Sequence, residues 1–184
     1  MPEYQWITDR IFTVNNFFSP AECQDAIQRA EALGFGLAPI NTAAGPKIRS
    51  DVRNNSRVML DDVELAQSLW ERSRDYVPLR LEDWRAIGVN ERFRFYRYDP
   101  GQQFDWHYDG AFERTSGERS RLTFMIYLNE GFSGGETSFE DAEIVPAEGL
   151  ALFFWHAIRH KGQPVTTGRK YVLRTDVMYR RAAT

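Results

Sequence analysis

Tyr98-Asp99-Pro100-Gly101-Gln102-Gln103-Phe104-Asp105-Trp106-His107-Tyr108-Asp109 is the stretch from which the rest of the chain can be read. Asp99 to Gln102 is turn-forming, because proline presets one turn dihedral and glycine supplies another. Phe104–Tyr108 then reads as a strand. Upstream, residues 92–98 alternate, with Phe93 and Phe95 on one side and Arg92, Arg94, Tyr96 and Tyr98 on the other. Downstream, a polar loop over 110–119 leads to a strongly β segment at 121–129. Short strands are expected at 136–139, 143–145, 150–155, around His160 and Val165, and at 170–179. Turn signals such as Pro146-Ala147-Glu148-Gly149 separate them, and no helical pattern intervenes. Some eight short strands in this order predict two packed antiparallel sheets or a jelly-roll barrel.

The first half has a different character. Residues 4–14 predict one or two strands. Ser19, Pro20 and Glu22 form a helix start, with a cap, a proline at the first position and a capping-box glutamate. Cys23, Ala26, Ile27, Ala30 and Leu33 follow at helical spacing until Gly34. Residues 37–58 read as irregular, with a turn-rich run at 41–47, a mobile loop and a strand near 56–60. A second helix is expected at 62–76, presenting Val63, Leu65, Ala66, Leu69 and Trp70 and stopped by Pro78. A short third helix is expected at 81–87. The fold class is thus α+β with a mainly β core, in which N-terminal helices pack on one sheet. The 184 residues suit a single domain, 1–184, with a helical and loop part over 1–90 and a barrel core over 91–180.

Composition bounds the function. A net charge of −3 argues against broad binding of nucleic-acid backbone. One cysteine, Cys23, excludes an intramolecular disulfide and a multi-cysteine zinc site. No apolar run approaches the roughly 20 residues of a membrane helix, and the N-terminus lacks a secretory pattern, so a cytoplasmic protein is expected.

In a strand, residues two apart share a face about 6–7 Å apart, so His107 and Asp109 can address one cation. A distant histidine would complete the set. The chain has three, His107, His156 and His160, and spacing alone leaves His156 and His160 both open. Two histidines and one carboxylate on one octahedral face is the arrangement of non-haem Fe(II) oxygenases, with three positions free.

The second half resembles the prolyl 4-hydroxylase-like group of 2-oxoglutarate- and Fe(II)-dependent dioxygenases. The likeness runs through Tyr98-Asp-Pro-Gly-Gln-Gln-Phe104, His107-x-Asp109 and Leu122-Thr-Phe-Met-Ile-Tyr-Leu-Asn129. It continues through Gly134-Gly-Glu-Thr-Ser-Phe139, Ala151-Leu-Phe-Phe-Trp155, His160-Lys-Gly-Gln-Pro-Val165 and Gly168-Arg-Lys-Tyr171. It implies a double-stranded β-helix, and His160 as third ligand beside His107 and Asp109, because the family histidine precedes Gly-x-Pro-Val. It implies 2-oxoglutarate and O₂ as cosubstrates, with ascorbate in support, and Lys170, ten positions past His160, as partner of the distal carboxylate of 2-oxoglutarate. Arg174, on the same strand face, is the rival or helper. Tyr127, Tyr98 and Thr137 are implied to border that cosubstrate.

The expected reaction is hydroxylation of an unactivated C–H, with succinate and CO₂ as co-products. The favoured substrate is a side chain of a protein or peptide, such as a prolyl residue. A small-molecule hydroxylase is the alternative, with Arg53, Asn55 and Arg57 clamping a carboxylate. A non-catalytic sensor binding metal or 2-oxoglutarate is the alternative of another class.

Overall fold

The computed structural model describes residues 3–42 and 45–182. Among the described residues, eighteen strands and two helices follow one another. They begin with β1 (Glu3–Thr8), β2 (Ile11–Asn15), α1 (Pro20–Leu33), β3 (Gly36–Leu37), β4 (Ile40–Thr42), β5 (Gly45–Lys47), β6 (Ser56–Asp61) and α2 (Val63–Ser73). Next come β7 (Arg80–Leu81), β8 (Trp84–Val89), β9 (Arg92–Tyr98), β10 (Phe104–His107), β11 (Arg119–Tyr127) and β12 (Ser133–Gly134). The chain closes with β13 (Thr137–Phe139), β14 (Glu143–Ile144), β15 (Ala151–Trp155), β16 (His160–Gly162), β17 (Val165–Thr167) and β18 (Lys170–Arg181).

The large sheet runs β1-β2-β15-β11-β18-β9-β6-β3, with β8 also on β18 and β7 on β8. The small sheet runs β10-β16-β13-β14, and β12 pairs with β17. β18 is the spine: its first half pairs with β9, its second half with β8, and its other edge with β11.

Each central strand of the large sheet serves two cores. Phe93 and Phe95 of β9 join Cys23 and Ala30 of α1 and Ala66 and Leu69 of α2 in the core under the helices. Tyr96 and Tyr98 turn the other way, into the barrel interior with Tyr127, Phe154 and Val172. A strand covered on both faces reads as an unbroken apolar run, and Ala151 to Phe154 are all 0% exposed. Phe153 stacks on Phe12 and Phe124, at centroid distances of 4.7 and 4.2 Å, which ties the N-terminal hairpin to the barrel.

The helix start at Ser19 is as expected: Ser19 accepts from the Glu22 N–H, and the Glu22 carboxylate accepts from the Ser19 N–H. Three expectations need correction. Residues 81–87 form the β7–β8 hairpin, turning at Glu82 with φ 55°, and β8 lies in register on the far half of β18. A vacant sheet edge thus overrides the helical spacing. The stretch 37–58 contains three short strands before β6, β4 and β5 among them. Ala43 and Ala44, within the expected turn, lie outside the described residues. Leu33 and Val63 are exposed, because each sits at a helix end beyond the sheet it was expected to cover.

One glycine is fixed by a close approach. Gly149 has φ 75°, its carbonyl accepts from the Phe17 and Phe18 N–H groups, and a Cβ there would lie 2.1 Å from the Phe18 carbonyl oxygen. Gly149→Val is therefore expected to cost more than about 2 kcal/mol, through left-handed strain and a backbone clash. A urea-denaturation midpoint equal to that of the parent would contradict this.

Candidate active site

β10 and β16 pair antiparallel with His107 directly opposite His160. Residues opposed in a ladder share a face, so the two imidazoles meet, with ring centroids 4.2 Å apart. Phe104 stacks on His107 at 3.4 Å, while Phe154 and Phe139 wall His160. The Nδ1 atoms lie 2.7 Å from the Asp105 carbonyl for His107 and 3.0 Å from the Ile158 carbonyl for His160. Those carbonyls hold the protons on Nδ1 and leave both Nε2 lone pairs facing inward.

Asp109 does not stand on the same strand as His107, since β10 ends there and Tyr108 is 62% exposed. Its carboxylate is set by other elements. Thr123 on β11 donates to Oδ2 at 2.5 Å, and Arg174 on β18 reaches Oδ1 at 3.1 Å. The His107 and His160 Nε2 atoms lie 3.8 and 3.6 Å from the carboxylate oxygens. One donor atom from each of the three residues falls within 4.8 Å of the others.

Burial and charge fix the protonation states. Burial, with His160 beside it, pushes His107 down to about 3, and burial also lowers His160. Burial, the largest single influence, would raise Asp109, but the Arg174 guanidinium and the surrounding imidazoles together outweigh it and hold the carboxyl far below its usual range. Two neutral imidazoles and one carboxylate are thus already in the state that binds a metal, with no proton to expel. Two imidazole nitrogens and one carboxylate within 4.8 Å of one another are the donor chemistry of a non-haem Fe(II) site, so these residues fit that ion.

His156, open as a rival from spacing, is engaged elsewhere. Its Nδ1 lies 3.0 Å from the Thr123 hydroxyl and its Nε2 2.9 Å from the Ser120 hydroxyl. It supports Thr123, which in turn holds Asp109.

The cavity at the triad is also lined by Tyr98, Thr137, Lys170 and Arg174. Lys170 is 3% exposed. Its Nζ donates to the Gly135 carbonyl at 2.5 Å and sits over the Tyr98 and Tyr127 rings at 5.3 and 5.1 Å. It makes no ion pair among the described residues, and desolvation pushes it down to about 7 against a weak opposing pull from Glu136. Tyr127 and Thr137 bond to each other at 2.6 Å. A buried ammonium without a counter-charge is costly, and a carboxylate beside it would remove that cost. This fits the far end of a 2-oxoglutarate chelated at the triad.

Arg174, the rival for that carboxylate, spends its charge on Asp109 and Asp176, the latter at 3.2 Å. Arg53 and Arg57 line a cleft of about 430 Å³ that shares His107 and Asp109 with the cavity. Asn55 is fully enclosed and does not line that cleft, but its Oδ1 accepts from the Arg53 Nε–H at 2.7 Å. Sequence reasoning missed Arg94, Thr123 and Asp176. The two-residue period carries the signal: Thr123 shares a face with Tyr127, Arg94 with Tyr98, and Asp176 with Lys170.

Comparison with known proteins agrees with this geometry. Residues 93–175 match the profile of the 2OG-Fe(II) oxygenase superfamily. Prolyl 4-hydroxylase 1 of Arabidopsis thaliana is 28% identical over 178 residues, covering 84% of this chain and 60% of the relative, so the chain spans less than two thirds of that protein. Among solved structures, the viral collagen prolyl hydroxylase of Paramecium Bursaria Chlorella virus-1, in its 2OG complex, aligns with TM-score 0.63 at 21% identity, over 92% of this chain and 96% of that one. A prolyl hydroxylase of Trichoplax adhaerens, in complex with a hypoxia inducible factor oxygen degradation domain peptide fragment, aligns with TM-score 0.72 at 18% identity, over 92% and 84%. These two show the shared fold, a double-stranded β-helix. Over residues 93–175 the chain thus resembles the 2OG-Fe(II) oxygenase superfamily, and the relatives it matches include prolyl 4-hydroxylases.

Proposed function

We propose that the chain is a 2-oxoglutarate- and Fe(II)-dependent dioxygenase that hydroxylates a prolyl residue of a protein or peptide. One observation carries the reaction class. A preset ligand face, His107, Asp109 and His160, shares a cavity with Lys170, a buried cation without an ion-pair partner among the described residues. Support for the prolyl substrate comes from the relatives, one named a prolyl 4-hydroxylase and one solved with a peptide bound.

In this reading His107, Asp109 and His160 hold Fe(II), and Lys170 receives the distal carboxylate of 2-oxoglutarate. Tyr98, Tyr127 and Thr137 form the wall beside that carboxylate. Bound Fe(II) and 2-oxoglutarate supply the oxidising power, with O₂ as oxidant and succinate and CO₂ as co-products. The chain supplies placement and dryness. Phe104, Phe139 and Phe154 enclose the imidazoles and keep bulk water from the ligand face. The Asp105 and Ile158 carbonyls keep both protons on Nδ1, so each ring would offer Nε2 to the metal as a neutral donor. Thr123 and Arg174 hold the Asp109 oxygens, so the carboxylate would be presented to the metal in a fixed orientation. The substrate enters by the cleft at Tyr108, the face of the triad that is open to the surface.

The test is aerobic incubation of the Fe(II)-loaded protein with 2-oxoglutarate and proline-containing peptides. Succinate and a peptide with one added oxygen on proline are expected. A correctly loaded protein that yields neither would overturn the reading.

A further inference from the structure

The cleft that opens from the triad carries more positive charge than its own acids balance. Arg53, Arg57, Arg94 and Arg174 all line it. Among the described residues, the carboxylates paired with them are Asp109 and Asp176, with Arg174 spanning both and Arg94 meeting Asp176 at 3.3 Å. Arg53 and Arg57 form no ion pair among the described residues. Bound Fe(II) would be offset by the 2-oxoglutarate dianion, so two guanidinium charges in the cleft would still lack a counter-charge.

The geometry of Arg53 shows that the surplus is built in. Arg53 is 5% exposed, and its guanidinium lies between the Tyr96 and Phe104 rings, 4.5 and 4.3 Å from their centroids. Asn55 accepts its Nε–H, and Asn55 is itself fixed by donating to the Ser56 carbonyl at 2.9 Å. With the guanidinium clamped from three sides, its Nη2 is buried and has no hydrogen-bond partner. A buried charged donor left unsatisfied is costly, and guanidinium groups suit carboxylates in particular. Phe104 shows its other face to His107 at 3.4 Å, so this donor lies one ring away from a ligand of the triad. Arg57, half-buried on β6, lies in the field of Arg53, Arg94 and Arg174, and burial and those neighbours lower its proton affinity.

Resting on the hydroxylase reading above, we propose that the substrate carries a carboxylate that Arg53 and Arg57 receive while a nearby C–H faces the triad. That carboxylate belongs either to a free amino acid or to an acidic residue next to the target in a peptide. The two sources share one chemistry, and matched ligand pairs separate them.

Binding is measured first, by calorimetry on anaerobic protein loaded with Fe(II) and 2-oxoglutarate. One pair is L-proline and L-prolinamide. The other is a blocked Pro-Asp dipeptide and its Pro-Asn counterpart. The acid of one pair is expected to bind about 10-fold tighter or more than its amide, the worth of one charged hydrogen bond, and that pair names the source. Arg57→Gln and Arg53→Met should each shrink the preference, while Arg57→Lys should keep most of it. The 2-oxoglutarate affinity of each variant reports whether the fold survives. Equal binding of acid and amide in both pairs, no binding of any of the four, or a preference that survives in both neutral variants overturns the proposal. Oxygen is then admitted and succinate measured. Acid-selective binding with no succinate would retain the carboxylate site and sink the hydroxylase reading. Succinate without acid preference would do the reverse.

Discussion

Asp109→Ala is expected to abolish succinate formation and to weaken divalent-metal binding by more than the roughly 100-fold that loss of an outer-shell partner costs. Asp109 supplies the anionic donor of the triad, and its removal leaves two neutral imidazoles as the only donors there. It also strips Arg174 of one of its two carboxylates, so a cation is left facing the place where a metal would sit. Both changes act in the same direction, against a positive ion. Co(II) titration followed by its visible absorption reads metal binding without reference to turnover. His156→Gln is the matched control, because His156 bonds Thr123 and Ser120 and faces neither imidazole of the triad. Metal affinity within about tenfold of the parent is expected for it, the lower edge of outer-shell effects. Tight Co(II) binding by Asp109→Ala, or its loss in His156→Gln, would show that the ligand set is wrong.

That contrast marks the limit of what local pattern could give. Helix starts were legible because a capping box is a contact within four residues, as at Ser19 and Glu22. The alternation of Arg92–Tyr98 was legible because each side chain of β9 answers to one of two cores. The hairpin at Arg80–Val89 was not, because its conformation is dictated by pairing with β18 almost a hundred residues on. The metal site divides the same way. His107 and His160 meet through a cross-strand register that spacing could not tell apart from one using His156, and it was the family resemblance that implied His160. Asp109 was placed on the right face by the wrong reason: a loop held by Thr123 and Arg174, rather than a strand running on past Tyr108, aims it inward. The surplus of arginines in the cleft belongs to no motif. Arg53 and Asn55 precede β6, Arg57 lies on it, Arg94 sits on β9 and Arg174 on β18, and only the sheet brings them together.

Lys170→Met is expected to raise the 2-oxoglutarate concentration needed for half-maximal turnover by about 10- to 100-fold, the worth of one charge-assisted hydrogen bond, with a smaller change in kcat. The same variant changes how stability depends on pH. Burial lowers Lys170 from the ordinary 10.5 to about 7 in the folded protein. Below about 7 the ammonium is charged in both folded and unfolded states, and its burial cost is present in full. Between 7 and 10.5 the unfolded chain holds the proton and the folded one releases it, so Lys170 makes stability rise with pH through this window, by at most about 1.4 kcal/mol per unit. Urea midpoints at pH 7, 8 and 9 should therefore climb more steeply in the parent protein than in Lys170→Met. Saturating 2-oxoglutarate should flatten the difference, because a carboxylate at Nζ restores the proton. By the same linkage, 2-oxoglutarate should bind more weakly as pH rises above 7 in the parent and without that trend in the variant. Arg174→Met should leave the Lys170 part of the trend in place, since Arg174 is already paired with Asp109 and Asp176. If instead it is Arg174→Met that removes the trend and raises the 2-oxoglutarate requirement, the distal carboxylate lies at Arg174 and the orientation proposed for the cosubstrate must be reversed.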